Sequence, residues 1–341
     1  MRPASGQDRS ISRSGGVLAG RHHAALALAA AMLAGCQSMP DSNSRTDTTM
    51  LYDTHAHFFT SDIERYPIDT RGAREAADEL RERILANPST PEVILKAWDK
   101  TRVWGGAGVQ YTSAYKTDNS YVMDVSDDHP DRISAVVILN ARDPETPARI
   151  RDFVTNRGVT GLRLTGFPAE DGSWPWLDSG AALDTWAEAD RLGLAVVLMY
   201  LPSRNSDDAL EHIGRLAERF PNTKIVLDHI GWPALSGAPD YGITPAHLAV
   251  GKFPNVYFKL TTNNLYKMRD SGVPADEFLR HIVDLWGAER IMWGSDYGNT
   301  VGTFEEMVEG ALASTALLNE AERRQVLLET GRTLFARTKM P

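Results

Sequence analysis

From Met50 onward, short apolar runs alternate with longer stretches of helical periodicity. Apolar runs of a few residues bounded by turn residues read as buried strands, and apolar recurrence at three and four positions reads as amphipathic helix. This pattern predicts strands at 50–55, 108–111, 133–139, 159–164, 194–201, 224–229, 256–260 and 290–295. Helices are predicted between them, at 144–156, 181–192, 207–220 and 274–286 among others. The last helix opens on a capping pair, Asn319 with Glu322, and runs to about Phe335. Eight such alternations over this length predict a single-domain α/β protein, a (β/α)8 TIM barrel spanning residues 50–338, in preference to an open doubly wound sheet. No strand–helix turn carries Gly-x-Gly-x-x-Gly, which removes the usual dinucleotide reading. The first connection, 60–106, is unusually long, and its charged stretch 73–87 predicts a surface helix or a lid.

The chain ahead of Met50 does not follow this pattern. Arg2, Arg9, Arg13 and Arg21 form a basic leader, the run 24–34 is apolar, and Leu33-Ala34-Gly35-Cys36 follows. A basic segment, a short apolar segment and small residues before a cut describe a secretory signal peptide over 1–35. The run is shorter than the ~20 residues a membrane-spanning helix needs. The Leu-Ala-Gly-Cys string resembles a bacterial lipobox, which implies cleavage before Cys36 and lipidation of its thiol. Gln37 in place of Asp resembles lipoproteins sorted to the outer membrane. Residues 36–49, rich in Ser, Asp, Asn and Thr, read as a flexible tether. The expectation is therefore an exported lipoprotein held in the periplasm by its lipid anchor alone.

Composition and charge narrow the chemistry. With 42% hydrophobic and 24% charged residues the chain is of ordinary globular composition. Cys36 is the only cysteine, so the barrel has no thiol for a disulfide, thiolate catalysis or sulfur ligation. The leader holds four Arg and one Asp, leaving 32 basic and 44 acidic residues and a net charge of −12. An acidic domain without a basic run excludes nucleic acid as a partner. A small molecule is the expected one.

Three strand ends carry candidate chemistry. In Asp53-Thr54-His55-Ala56-His57, strand alternation points both imidazoles into the barrel at its C-terminal end, where barrel active sites lie. Such a pair can bind one metal ion or hold one carbonyl oxygen. The apolar run 225–227, ending in Asp-His-x-Gly, delivers His229 to the same rim, and 291–295 delivers Asp296. Taken singly, each is as readily a satisfied histidine or a turn residue.

Taken together, His-x-His on the first strand, His229 on the sixth and Asp296 on the eighth resemble the amidohydrolase superfamily. The strings Gly158-Val159-Thr160-Gly161-Leu162-Arg163, Phe253-Pro254-Asn255-Val256-Tyr257-Phe258-Lys259 and Gly287-Ala288-Glu289-Arg290-Ile291-Met292-Trp293-Gly294-Ser295-Asp296 extend the likeness through most of the chain. They resemble the amidohydrolase-2 subgroup, and within it sugar-lactone and pyrone-dicarboxylate lactonases. The resemblance implies a hydrolase opening a lactone or similar cyclic ester. Asp296 would be the general base, and His55, His57 and His229, or a bound divalent ion such as zinc, would polarise the carbonyl. Two departures bear on the metal. The fourth strand reads Leu162-Arg163-Leu164, without the bridging lysine of binuclear members, and the fifth reads Val196-Val197-Leu198-Met199-Tyr200, without the histidine of mononuclear ones. His55, His57 and Asp296 can still supply three ligands, so one divalent ion and a metal-independent site both stand open.

Arg163 and Lys259 are candidates for binding a substrate carboxylate or hydroxyls, with a surface salt bridge as the plain alternative. Tyr200 and Tyr297 are candidate pocket walls, and Trp174, Trp176 and Trp232 candidate stacking residues. Two other functions fit the same chain. One is a metal-dependent decarboxylase or hydratase of an aromatic or unsaturated acid, which the missing fifth-strand histidine disfavours. The other is a solute-binding lipoprotein without chemistry, for which a base on the eighth strand would have no use.

Overall fold

Eight parallel strands follow one another in chain order: β1 (Leu51–Ala56), β2 (Val103–Val109), β3 (Ile133–Ile138), β4 (Gly161–Gly166), β5 (Ala195–Tyr200), β6 (Lys224–Leu227), β7 (Val256–Thr261) and β8 (Ile291–Gly294). Each pairs in parallel with the next, and helices cover the outside, the arrangement of a (β/α)8 barrel. This computed structural model describes residues 49–201 and 207–337. The leader, Cys36 and nearly all of the tether lie outside the described residues.

The ring closes where β8 meets β1, and side chains do much of the stitching. The buried Asp53 carboxylate accepts hydrogen bonds from Ser295 N (2.8 Å), Ser295 Oγ (2.6 Å) and His55 N (3.0 Å). Thr54 Oγ1 donates to Trp293 O at 2.7 Å, and Asp296 N to His55 O at 2.7 Å. A Cβ on Gly294 would lie 2.6 Å from His55 Cβ, so only glycine lets the two strands approach this closely. Closure thus fixes the backbone under His55 and Asp296 together.

Alternation along the strands sorts the side chains into two layers. Ala107, Val109, Val136, Ala195, Val197, Val226 and Met292 fill the interior, where Leu328 and Phe335 pack against them. The opposite faces, including Leu162, Leu164, Val196, Leu198, Ile225, Leu227 and Phe258, pack against the surrounding helices. Full burial of each such side chain contributes roughly 1.5–3 kcal/mol.

Two expectations of strand position are corrected. The second strand begins at Val103, not 108, so the first connection is shorter than predicted. Its sequence, Trp104-Gly105-Gly106-Ala107-Gly108, lacks β-branched residues and reads as a loop. Yet a Cβ at Gly106 would stand 2.3 Å from Asp53 O and 2.8 Å from the Trp98 ring, so packing demands the glycine that propensity disfavours. The sixth strand ends at Leu227, and Asp228–Gly231 forms a tight turn. The charged stretch at 73–87 contains a helix, Ala77–Ala86, and a second helix, Pro91–Thr101, follows it.

Candidate active site

The imidazoles of β1 are oriented from behind. His57 Nδ1 lies 2.7 Å from the carbonyl oxygen of Val109. A carbonyl only accepts, so Nδ1 carries the proton and Nε2 a lone pair. His55 Nδ1 lies 3.4 Å from Asp228 Oδ1, an acceptor that favours the same tautomer, with Lys259 Nζ 3.5 Å away. The two Nε2 atoms then face each other at 3.2 Å, and Asp296 Oδ1 stands 3.2 Å from His57 Nε2 and 3.7 Å from His55 Nε2. All three side chains are buried.

Asp296 follows β8 with φ +56, a left-handed conformation that Asp tolerates better than most residues. Its Oδ2 accepts from Thr300 Oγ1 (2.6 Å) and Asn299 Nδ2 (3.1 Å), which leaves Oδ1 to the imidazoles. Burial pushes the carboxyl pKa up, but the close contact with His57 and the charge that the neighbouring imidazoles carry when protonated outweigh it. The net shift is well below the usual carboxylate range. Burial likewise pushes His55 down to about 3 and His229 down to about 4. Both are neutral at neutral pH.

His229 sits in the turn after β6, not in the strand as expected. His229, Ile230, Gly231 and Trp232 have φ of +55, +59, +73 and +61, four left-handed residues in succession. Such residues cost roughly 1–2 kcal/mol each outside glycine, and the surroundings hold them in place. Asn264 Nδ2 donates to His229 O (3.1 Å). Tyr200 Oη donates to Gly231 O (2.6 Å), and His247 Nε2 reaches the same oxygen at 3.1 Å. Thr261 Oγ1, itself donating to Asn264 Oδ1, accepts from His229 Nδ1 at 2.7 Å, so the third imidazole also presents a bare Nε2. The His229 ring stands 5.9 Å from that of His55 and 4.4 Å from that of Trp232.

Behind the imidazoles lies a buried ion cluster. Asp228 receives Arg163 Nε and Nη2 at 3.1 and 2.9 Å and Lys259 Nζ at 3.0 Å. Burial alone would raise the Asp228 pKa, but Lys259, His55 and Arg163 hold it well below the carboxylate range. Lys259 is fully buried, and desolvation lowers its pKa against the pull of Asp228. Neither cation makes a surface salt bridge. Arg163 reaches a cavity of about 140 Å³ beside the site, lined also by Arg74, Tyr111, Thr165, Phe167 and Met199. Lys259 does not line it.

Tyr200 is displaced from its expected place by strand parity: Met199 and Leu201 line the cavity, while Tyr200 points outward and braces the Gly231 turn. The Tyr297 ring packs edge-on against Phe304 at 5.5 Å, and its carbonyl accepts from His57 N. Trp174 is buried, Trp176 Nε1 donates to Phe167 O, and Trp232 covers His229. Sequence reading passed over Asp228, Tyr111, Asn299 and Asn264. Asp228 alone was within its reach, since it shares the inward parity of Val226.

Comparison with known proteins follows the same lines. A profile of the amidohydrolase family (Amidohydro_2) matches residues 52–337. An L-fucono-1,5-lactonase from Burkholderia ambifaria is 24% identical over 208 residues, which are 56% of this chain. The matched region spans 66% of that lactonase's own length. A Pseudomonas putida protein assigned as a 2-pyrone-4,6-dicarboxylic acid hydrolase superposes with a TM-score of 0.64 at 22% identity, covering 86% of this chain and 99% of its own. An amidohydrolase from Burkholderia multivorans with bound zinc gives 0.59 at 17% identity (84% and 98%). A 2,6-dihydroxybenzoate decarboxylase from Rhizobium gives 0.59 at 17% (84% and 98%). At these identities the structural likeness establishes the barrel, whereas the profile match runs through well over half of the sequence. The chain belongs to the amidohydrolase family.

Proposed function

We propose that this protein is a hydrolase that opens a lactone or similar cyclic ester with water activated at Asp296. The observation that carries the reading is the convergence of His55 Nε2, His57 Nε2 and Asp296 Oδ1 within 4.8 Å of one another, each an acceptor turned toward a common point. Three lone pairs so close repel unless a cation sits among them. With Nδ1 of each ring engaged by its own acceptor, the facing Nε2 atoms are also poorly placed to donate to a carbonyl oxygen. The donor set therefore fits one divalent ion, with two nitrogens and a carboxylate oxygen, better than a metal-free site. The zinc bound to the Burkholderia multivorans relative supports the same choice.

When bound by His55, His57 and Asp296, such an ion supplies a Lewis acid that polarises an ester carbonyl and acidifies water. The chain's own residues do the rest. Asp296, held by Thr300 and Asn299, takes the proton of the attacking water and returns it to the leaving alkoxide. His229 Nε2, a neutral acceptor, orients that water. Asp228 and Val109 O hold the two β1 imidazoles in register, and the burial of all these groups excludes bulk solvent.

The test is a panel of sugar and carboxylated lactones offered to purified protein, with ring opening followed by proton release. Metal content is measured before and after chelation. Lactone hydrolysis that falls on chelation and returns with a divalent ion is the expected result. Carbon dioxide release from aromatic acids without ring opening would favour the decarboxylase reading, and lactone binding without turnover the solute-binding one.

A further inference from the structure

The end of β2 serves two of the three groups that converge at the site. The carbonyl of Val109 holds His57 through Nδ1 at 2.7 Å. Two residues further on, Tyr111 is buried, and its ring stands edge-on to the His57 ring at 4.8 Å and to the Phe59 ring at 5.5 Å. Packed against two side chains that follow β1, the ring has little freedom, and its hydroxyl has a set position. Burial, with Glu75 beside it, pushes the Tyr111 pKa up, so the hydroxyl keeps its proton and acts as a donor.

That hydroxyl faces the loop after β8. Its oxygen lies 2.7 Å from Asn299 Oδ1, across 188 positions of sequence, and Glu75 Oε1 of the first connection is a second acceptor for the same proton. Asn299 Nδ2 donates to Asp296 Oδ2 at 3.1 Å, beside the Thr300 hydroxyl. A carboxamide has one donor end and one acceptor end. With Nδ2 committed to the carboxylate, Oδ1 is turned to Tyr111 and needs a donor there. Asn299 is only partly buried, so without that donor its side chain is free to leave Asp296 for water. The backbone of the turn is held independently, by Asn299 N and Thr300 N on Asp296 O at 3.2 and 2.8 Å. Loss of the Asn299 carboxamide therefore loosens the carboxylate and not the loop.

We infer that Tyr111 and Asn299 are positioning residues for Asp296: the Tyr111 hydroxyl holds the Asn299 carboxamide, which aims the carboxylate at His55 and His57. Both act through Asp296 and not on the substrate. Their consequence for turnover rests on the hydrolase reading, but the aim of Asp296 does not. The plain alternative is that Tyr111 only ties the first connection to the barrel through Glu75, and the two roles differ in how variants combine.

Tyr111→Phe keeps the ring and removes only the hydroxyl, and Asn299→Ala removes the carboxamide. Both single variants and the double variant are compared with wild type in the full-length protein by two readouts. One is kcat and KM for lactone opening; the other is the zinc dissociation constant of chelated protein in competition with a chromogenic chelator. Each single variant is expected to lower kcat about tenfold with KM within about twofold. Each should also weaken zinc binding about tenfold, because Asp296 is one of the three candidate ligands. The double variant should be no worse than Asn299→Ala in either readout, since Tyr111 acts through Asn299. Losses that multiply in the double variant, or single variants indistinguishable from wild type, overturn the inference. Zinc binding by wild type without lactone opening sinks the hydrolase reading, and the zinc readout then decides the inference alone. A wild type that neither opens lactones nor binds zinc leaves Asp296 nothing to be aimed at and overturns both.

Discussion

At the scale of single residues, the site depends on a buried carboxylate that touches no reacting atom. Asp228 faces Arg163, Lys259 and His55 at once, and all four are buried. Removing one partner of a buried ion pair leaves an uncompensated charge, a loss of roughly 3–5 kcal/mol. Asp228→Asn is therefore expected to lower unfolding stability by about that amount in urea titrations. Adding Lys259→Met to it should restore part of the loss, because one orphaned cation is then gone. Additive losses in the double variant would contradict the assigned pairing. Asp228 was readable from strand parity, but the histidine beside it drew the inference. The roles of Tyr111 and Asn299 were not readable: their partners, Glu75 and Asp296, lie 36 residues and three residues away, and no local pattern distinguishes them.

At the scale of elements, the strands that carry the site were legible wherever apolar runs end in a chemical residue, as in β1 and β8. They were less so where backbone geometry departs from the strand. The turn after β6 reads as strand because Ile225-Val226-Leu227 is apolar and Ile230 is β-branched, yet tertiary hydrogen bonds force Ile230 to φ +59. β2 failed in the opposite sense, its glycines required by close packing. The left-handed turn has a thermodynamic consequence through His229. Its folded pKa, near 4, lies below the unfolded value of about 6.5. Between those values the unfolded chain binds a proton that the native site refuses, so stability falls as pH drops through this window and is complete above it. The limit for this one group is about 3 kcal/mol. In chelated protein, His229→Gln should flatten the fall in denaturation midpoint between pH 6.5 and 4. An unchanged slope would show that His229 is not held neutral by burial.

At the scale of the whole molecule, closure of the barrel is what brings chemistry together. His55 and Asp296 are 241 positions apart in sequence, and the β8–β1 seam joins them backbone to backbone at 2.7 Å. The first connection then ties the same loop to the cavity wall through Glu75, Tyr111 and Asn299. Architecture was readable in outline because eight repeats of one pattern allow few folds; the packing of the first connection over the rim was not, since its exposed charges carry no directional signal. The account stands on Asp296 as the group that takes the proton from water. Asparagine keeps its shape, tolerates the left-handed backbone and can still accept from Thr300, so Asp296→Asn removes the base with the loop intact, and the metal content of both proteins separates that loss from the loss of a ligand. The deciding measurement is kcat for lactone opening by wild type and Asp296→Asn, with folding and metal content checked in both. A loss of about 10³-fold with both controls intact is predicted; turnover within a few-fold of wild type would contradict the account.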